Sequence, residues 1–380
     1  MVDIVDSSGY LDHNATTPVR PQAAAAAAAV LAATGNPSSV HRFGREMRRR
    51  LEDARERVAA LVGAAPAEIV FTSGGTEANA LAIRGSGRRR VLISAIEHPS
   101  VQAAASTSEH IPVTNEGVID CDALEAMLSA DSTPALIAVM LANNETGVIQ
   151  KVGEVVDLAR RHGALVHCDV VQAAGKLPLN ATALGVHFLS VSAHKIGGPA
   201  GSGALVVRGE TPLAAALRGG GQERGRRAGT ENLAGIVGFG AAADIASAEL
   251  CAAGRLACWR DDLERRVTAL APGARIFGAG AARLPNTSCL AMPGVTSAVQ
   301  VMAFDLVGLA VSAGAACSSG KMARSHVLRA MGVGAEEAAC AIRVSLGWTT
   351  TMRDIDRFVG AWDGLYARAG ARARQAAPAA

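Results

Sequence analysis

The feature that most limits the fold of this chain is a regular alternation of short apolar runs with longer helical patterns, from Val40 to about Thr268. Gly, Asn or Asp residues bound the apolar runs, and this rhythm is typical of a parallel sheet flanked by helices. We therefore predict an α/β fold with a mostly parallel sheet. The predicted strands are Glu68 to Phe71, Arg90 to Ser94, Ala135 to Leu141, Ala164 to Cys168, Phe188 to Ser192 and Ala204 to Val207.

The same rhythm predicts the helices and a division into two domains. After Ala241 a long alanine-rich helical stretch runs through Leu270, and the segments that follow have an α+β pattern. We expect a large domain at residues 14–250 and a smaller C-terminal domain at 251–380 that also includes residues 1–13. The helices predicted before this point are Gly44 to Val62, Glu77 to Arg84 and Val152 to His162.

Bulk composition argues against two classes of partner. The chain has 37 basic and 34 acidic residues, a net charge of +3, which gives no field strong enough to favour nucleic acid or an anionic membrane. Its most apolar early stretch, Ala23 to Ala33, is about half of the roughly 20 residues that span a bilayer. We predict no nucleic-acid partner, no membrane association and a cytoplasmic location.

The cysteines predict one reactive thiol. There are seven, with no C-x-x-C pair, and an odd number cannot form a closed disulfide framework. Cys317 stands among small residues, in the segment Ser312 to Lys321, where a mobile nucleophile is expected. The other cysteines that we interpret as buried apolar groups are Cys168, Cys251, Cys258, Cys289 and Cys340.

Lysine is scarce enough to make each one informative. Only four of the 37 basic residues are lysines, Lys151, Lys176, Lys195 and Lys321. A desolvated lysine can form an imine, whereas arginine cannot be deprotonated near neutrality. Because Lys195 ends an apolar strand beside Ser192 and His194, we predict that it binds a cofactor as a Schiff base.

The ends of two further predicted strands indicate an anion-binding site and a buried carboxylate. The turn at Gly74, Gly75 and Thr76 leads into a helix, so backbone N–H groups can hold a phosphate there, although such a turn is also common without any ligand. Asp169 ends another predicted strand, where its carboxylate suits a protonated ring nitrogen. A helix N-cap is the alternative reading of Asp169.

Two segments later in the chain predict anion contacts. The Gly- and Arg-rich loop from Gly219 to Thr230 lacks aromatic residues for stacking bases, which favours a phosphate or subunit contact over nucleic acid. Ala341 to Gly347 alternates as a strand, and Arg343 on it can bind a carboxylate through two hydrogen bonds.

Taken together, these segments resemble the cysteine desulfurases of the NifS/IscS group, and the match runs from Tyr10 to about Phe358. These are fold-type I pyridoxal-phosphate enzymes, with a seven-stranded, mostly parallel sheet in the large domain. The resemblance is specific because many motifs occur in order. They are Leu11-Asp-His-Asn-Ala-Thr-Thr, Gly35-Asn-Pro-Ser-Ser, Thr72-Ser-Gly-Gly-Thr-Glu, Glu97-His98, Asn143-Asn-Glu-Thr-Gly, Asp169 to Gln172, Ser192-Ala-His-Lys195, the Gly219 loop, Cys317-Ser-Ser-Gly and the Arg343 strand.

The resemblance implies pyridoxal 5′-phosphate as cofactor and a role for each residue around it. Lys195 would bind it covalently, Asp169 would keep its ring nitrogen protonated, His98 would stack on the ring and Gln172 would bond its phenolic oxygen. The residues that would hold the phosphate are Gly75, Thr76, Ser192 and His194, with Thr230 from the other subunit of a homodimer.

The resemblance also implies the reaction. Arg343 and Asn144 would bind the carboxylate of L-cysteine, Lys195 would move its Cα proton, and Cys317 would take its sulfur as a persulfide while alanine leaves. An iron-sulfur scaffold protein of the NifU/IscU kind would accept the sulfur.

Details of the sequence favour NifS, which serves nitrogenase, over housekeeping IscS. These are the Gln222 to Asn232 segment, Trp348 and the short tail, whereas His187 departs from the family's usual Asp. The alternatives left open are a housekeeping desulfurase, a selenocysteine lyase, an aminotransferase and a non-catalytic binding partner. The thiol at Cys317 favours desulfuration, because transamination needs none.

Overall fold

The computed structural model describes residues 7–105, 107–314 and 324–376, and beyond residue 369 it describes the backbone alone. A sheet of seven strands lies at the centre of this part of the chain, in the order β1-β7-β6-β5-β4-β2-β3. Strand β7 is antiparallel to both its neighbours, and the other pairs are parallel. The strands are β1 (Ile69–Thr72), β2 (Arg90–Ser94), β3 (Glu109–Ile111), β4 (Ala135–Met140), β5 (Leu165–Asp169), β6 (Phe188–Ser192) and β7 (Gly203–Val207). The mostly parallel sheet is therefore confirmed.

All six predicted strands occur, with ends within one residue of the prediction. Each is buried along its whole length, which explains why it is a continuous apolar run without alternation. Strand β3 was missed because it is a three-residue edge strand with two exposed side chains.

Helices cover both faces of this sheet. Side chains of α2, α6 and α8 pack on one face, and α3 packs on the other, so successive residues of a strand belong to different core clusters. The helices are α1 (Pro21–Leu31), α2 (Arg42–Val62), α3 (Gly75–Gly85), α4 (Pro99–Gln102), α5 (Cys121–Ala130), α6 (Val152–Arg161), α7 (Ala181–Leu184), α8 (Leu233–Ala248), α9 (Ala253–Leu270), α10 (Ser297–Asp305), α11 (His326–Ala330), α12 (Ala335–Ala339) and α13 (Met352–Ala376).

The long helical stretch predicted after Ala241 is two helices, α8 and α9, joined by a 3₁₀ turn at Glu249–Ala252. By length and composition alone, Leu233–Leu270 could cross a membrane. In this fold α8 lies against α1 and α2 with Ile236 and Phe239 buried in the core, which accounts for its apolar composition.

A second, antiparallel sheet of four strands has the order β10-β11-β9-β8. Residues near the N-terminus pair with it, Tyr10 beside Ala310 and Asp12 beside Ser345. Leu11 is buried in its core cluster, among side chains of α9, α10 and α13. The N-terminal segment therefore connects the two sheets. The strands are β8 (Arg275–Ile276), β9 (Thr287–Ala291), β10 (Ser312–Ala313) and β11 (Ala341–Ser345).

His187, singled out from the sequence as a departure from the expected Asp, makes a structural contact. Its Nδ1 accepts a hydrogen bond from the backbone N–H of Val166 at 3.0 Å, next to the start of β6. Burial and the nearby Arg88 and Arg160 lower its pKa, so the ring is neutral and can accept. A carboxylate can fill the same acceptor role, which explains how the substitution is accommodated.

Glu223 anchors the Gly219 loop on the large sheet. Its carboxylate accepts two hydrogen bonds from Arg55, each 2.8 Å long, and a third from the backbone N–H of Phe71 at 2.9 Å. Both charged side chains are buried. Glu223 and Arg224 have φ values of 49° and 59°, a region that non-glycine residues seldom occupy, so the contacts must offset a strained backbone.

Replacing Glu223 by Ala should lower the free energy of unfolding by about 3 kcal/mol, because both buried Nη groups of Arg55 and the backbone N–H of Phe71 would lose their acceptor, and only Glu52 would still pair with Arg55. Urea denaturation measures the change. Asp157→Ala, which breaks the exposed pair with Arg160, is the control and should cost less than about 1 kcal/mol. Equal losses in the two variants would contradict this account of the loop.

Candidate active site

The carboxyl ends of β4, β5 and β6 open onto a cavity of about 300 Å³. Asp169 and Ser192 end two of these strands, and Asn144 follows the third. Open α/β sheets bind ligands at this edge. Ten residues singled out from the sequence line the cavity, namely Gly75, Thr76, His98, Asn144, Asp169, Gln172, Ser192, His194, Lys195 and Arg343.

The Lys195 amine lies in the wall of the cavity. Strand β6 ends in a 3₁₀ turn, Ala193–Lys195, that places the side chain at the sheet edge. Its Nζ donates hydrogen bonds to the backbone carbonyls of Asn14 at 2.5 Å and Ala15 at 2.6 Å. The N-terminal segment therefore fixes the position of the amine.

The start of α3 forms a cradle of small residues beside Ser192. A Cβ atom added at Gly75 would lie 2.9 Å from a methyl group of Val171, so a larger residue cannot fit without a shift. The N-terminus of this 11-residue helix points backbone N–H groups at the cavity. Burial and the neighbouring Lys195 lower the pKa of His194 to about 4, so it is a neutral hydrogen-bonding group there. This end of the cavity suits a phosphate.

Asp169 and His98 are connected through Asn79 and Ser100. The Asn79 amide donates to Asp169 Oδ2 at 2.8 Å and to Ser100 Oγ at 2.9 Å. The Ser100 hydroxyl lies 2.7 Å from His98 Nδ1, which also accepts from the Ser100 backbone N–H. Burial lowers the pKa of His98, so the ring is neutral with its proton on Nε2. Sequence reasoning missed Asn79, because its importance comes from partners distant in sequence.

The titratable side chains beside Asp169, those of Glu97 and His167, are both neutral. Glu97 is completely buried, and burial together with the Asp169 carboxylate raises its pKa well above the usual value. Burial lowers the pKa of His167 to about 4. A neutral Glu97 and a neutral His167 allow one carboxylate to face a cation in the cavity.

Arg343 and Asn144 lie together in the wall formed by β11. One Nη group of Arg343 donates to the Asn144 carbonyl at 3.0 Å, and the other donates to Asp12 Oδ1 at 2.6 Å. Arg343 Nε is buried and has no hydrogen-bond partner among the described residues. The guanidinium therefore keeps donor capacity for a ligand carboxylate. The pairing with Asp12 was not predicted, although the Leu11 motif contains it.

Two residues singled out from the sequence do not join this group in the described structure. Thr230 is exposed and lies in a separate depression with Ser73 and Asn232. Cys317 lies outside the described residues, whereas Gly314 lines the cavity.

Three of the five cysteines interpreted as buried apolar groups are not fully buried. Cys168 and Cys289 are buried as expected, but Cys251 and Cys258 are exposed and Cys340 is half-buried. Cys251 lies in the 3₁₀ turn between α8 and α9, and Cys258 lies on the outer side of α9. The apolar residues around them in the sequence do not bury them.

Comparison with known proteins agrees with this geometry. The aminotransferase class-V family matches residues 9–358. The chain belongs to this family. A cysteine desulfurase of Cereibacter sphaeroides is 46% identical over 365 residues, which cover 92% of this chain and 93% of the relative.

Solved structures of the family have the same fold. A NifS-like protein from Rickettsia africae matches with a TM-score of 0.88 and 35% identity, over 94% of this chain and 99% of that chain. SspA in complex with cysteine matches with a TM-score of 0.77 and 28% identity, over 89% and 98% of the two chains.

The family depends on pyridoxal 5′-phosphate, and the residues present fit that cofactor. An aldehyde needs an amine, which Lys195 provides at the cavity wall. A pyridine nitrogen that holds a proton needs a carboxylate, which Asp169 provides. A phosphate needs the cradle at Gly75 that a Cβ atom would fill.

Glu145, next to Asn144, is a buried carboxyl group behind the cavity wall. It is 2% exposed, and its Oε2 accepts a hydrogen bond from Ser325 at 2.6 Å. Burial raises its pKa to about 7, against the opposing effects of Ser325 and Arg343. The folded protein thus holds a proton here that the unfolded chain releases at lower pH.

Because the folded-state pKa is the higher one, stability from this group is present below about pH 4.5 and is lost as pH rises through 7. Glu145→Gln, which is neutral at every pH, should match the parent at about pH 4 and be more stable at about pH 8, by up to roughly 3 kcal/mol. Urea denaturation at both values tests this. Glu125→Gln, at an exposed pair with Arg161, is the control, and identical pH profiles for both variants would contradict the assignment.

Proposed function

We propose that the chain is a pyridoxal-phosphate-dependent cysteine desulfurase that converts L-cysteine to L-alanine and an enzyme-bound persulfide on Cys317. The observation that carries the proposal is the meeting of Lys195, Asp169 and Arg343 at one cavity. Relatives that cover nearly the whole chain are named cysteine desulfurases, and SspA, of similar fold, has been solved with cysteine. Gly314, shortly before Cys317 in the chain, lines the same cavity.

Each wall of the cavity has a part in holding the cofactor. When bound, the cofactor supplies an electron sink that stabilises negative charge at the substrate Cα. Lys195 would bind it covalently, Asp169 would hold a proton on its ring nitrogen, and His98 would contact the ring. Gln172 would donate to its phenolic oxygen, and the cavity residues that would hold its phosphate are Gly75, Thr76, Ser192 and His194.

The remaining steps use this chain's own groups. Arg343 and Asn144 bind the substrate carboxylate. The substrate amine displaces Lys195, and the freed Lys195 amine takes the proton from the substrate Cα. The Cys317 thiolate attacks the substrate sulfur, so a sulfur–sulfur bond forms as the carbon–sulfur bond breaks. The substrate Cβ takes up a proton and alanine leaves. One sulfur atom thus moves from cysteine to Cys317.

We also infer a homodimer. Thr230 is exposed and lies outside the cavity of its own chain, which leaves it available to the phosphate site of a second subunit. Leu31, Val40 and Phe43 are large apolar side chains exposed around the start of α2, which suits a subunit contact. In each subunit, residues 14–250 form the large domain, and residues 251–380 with 1–13 form the small one.

The proposed acceptor of the sulfur is an iron-sulfur scaffold protein of the NifU/IscU kind, in the cytoplasm. The motifs closest to NifS favour nitrogenase maturation as the purpose. Sulfur transfer to a protein requires a thiol that can leave the cavity, and the small residues around Cys317 in the sequence are the reason that we propose it as that thiol.

Cys317→Ala should keep the visible absorption of the bound cofactor and lose sulfide release from L-cysteine, by at least about 10³-fold, because the nucleophile is gone. Absorption spectra and a sulfide assay measure the two effects. Cys251→Ala, at an exposed cysteine, is the matched control and should behave as the parent. Undiminished sulfide release from Cys317→Ala would assign the nucleophile elsewhere.

Arg343→Lys should raise KM for L-cysteine about 10- to 100-fold with a smaller change in kcat, because an ammonium cannot replace the two parallel hydrogen bonds of a guanidinium. Steady-state kinetics measures both constants. Arg283→Lys is the control, since Arg283 is also buried and paired, with Glu264, but lies outside the cavity. A rise in KM no larger than the control's would remove Arg343 from the substrate site.

A further inference from the structure

Lys176 is a second lysine close to the reacting amine, and the reaction proposed above gives it no task. It follows Gln172 by four residues, and its Nζ donates to Gln172 Oε1 at 2.9 Å and to Asn14 Oδ1 at 3.2 Å. It lines a neighbouring cavity of about 220 Å³, and Lys195 forms part of the wall of both cavities. Lys176 thus contacts the site from behind.

Its first contact determines which way the Gln172 amide points. An amide has an acceptor oxygen and a donor nitrogen, and Lys176 has N–H groups to donate both as an ammonium and as a neutral amine, so it binds the oxygen. Gln172 Nε2 is then turned to the Asn14 carbonyl, to which it donates at 2.9 Å. That carbonyl also accepts from Lys195 Nζ. The donor nitrogen of Gln172 is therefore beside the Lys195 amine, and it carries a second N–H group.

Its second contact fixes the Asn14 amide in the same way. Asn14 Oδ1 accepts from Lys176 and from Asn286, so Nδ2 donates to Thr287 at 2.8 Å and to the Asn144 carbonyl at 3.2 Å. Lys176 thus donates to the oxygens of two amides that border the cavity, and it contributes to the orientation of both.

The surroundings of Lys176 disfavour a positive charge. Burial is the main cause, and the nearby cations Lys195 and Arg343 add to it, which lowers the pKa of Lys176 to about 7. The chain keeps one of its four lysines at this position, and even the neutral amine retains two N–H groups for the two amide oxygens.

We propose that Lys176 is a positioning residue: it holds the amides of Gln172 and Asn14 so that Gln172 presents a donor, and not its carbonyl, to the phenolic oxygen of the bound cofactor. This rests on the proposed function. Without Lys176 only the Asn14 carbonyl still favours this orientation of the Gln172 amide, so the amide turns over more readily, and its oxygen then faces an oxygen that carries negative charge. Such a contact favours the protonated form of the cofactor's phenol–imine group.

The test is a pH titration of the visible absorption of cofactor-loaded protein. Lys176→Met, which keeps the length and removes the donors, should raise the midpoint of the transition by about one pH unit, the effect of one altered hydrogen bond to a charged group. Lys151→Met is the matched control, because Lys151 is exposed and pairs with Glu154, and it should leave the midpoint unchanged. A midpoint for Lys176→Met equal to the parent's would overturn the proposal.

Gln172→Leu distinguishes positioning from a direct effect of the charge. If Lys176 acts through Gln172, adding Lys176→Met to Gln172→Leu should move the midpoint no further. A full additional shift would contradict positioning. Should Lys176→Met take up no cofactor, Lys176→Arg decides, since it keeps a cation and donors. A midpoint near the parent's supports the proposal, and one near that of Gln172→Leu contradicts it.

An experiment that refutes the proposed function can be distinguished from one that refutes only the role of Lys176. A parent protein that binds no cofactor, or that makes no alanine from cysteine, would refute the desulfurase itself. A parent with both properties, whose titration does not respond to Lys176→Met, would refute only the role of Lys176.

Discussion

The site depends on the hydrogen bonds of one buried asparagine, Asn14. Its backbone carbonyl accepts from Lys195 and Gln172, and its side chain bonds to Thr287 in the second sheet and to the Asn144 carbonyl. It is 1% exposed, so any of these groups left without a partner would cost free energy that water could not restore. The N-terminal segment therefore connects the edge of the large sheet to the small sheet at the position of the Lys195 amine.

Charge is distributed around the cavity to suit anionic ligands. Lys195 and Arg343 face it, whereas two nearby carboxyl groups, Glu97 and Glu145, have pKa values raised by burial. Asp169 carries its charge where a ring nitrogen would meet it. A phosphate and a substrate carboxylate can thus be bound on a surface of positive sign, with one carboxylate left to act on the cofactor.

Much of this was predictable from sequence because it is local. Buried parallel strands are continuous apolar runs, so the sheet and the residues at its edge, Asp169 and Lys195, could be placed from the chain alone. The scarcity of lysine drew attention to Lys195, and the same argument could have identified Lys176. The resemblance to a known family supplied what spacing could not, such as the tasks of His98 and Gln172.

What the sequence did not reveal depends on contacts between distant segments. The pairing of Arg343 with Asp12 spans more than three hundred residues, and the bonds of Asn79 to Asp169 and Ser100 join two helices and a strand. The hydrogen-bond partners of amide side chains are set by the folded surroundings, and no periodicity in the sequence predicts these partners. The predicted burial of Cys251 and Cys258 was wrong for the opposite reason, because apolar neighbours in the sequence were taken as a sign of burial.

The central claim is that the Lys195 amine binds the aldehyde of the cofactor. Borohydride reduction of cofactor-loaded protein, followed by peptide mapping in a mass spectrometer, tests it directly. The account predicts that the reduced cofactor stays attached to the peptide that contains Lys195. Attachment at Lys176 or another amine, with the Lys195 peptide unmodified, would contradict it.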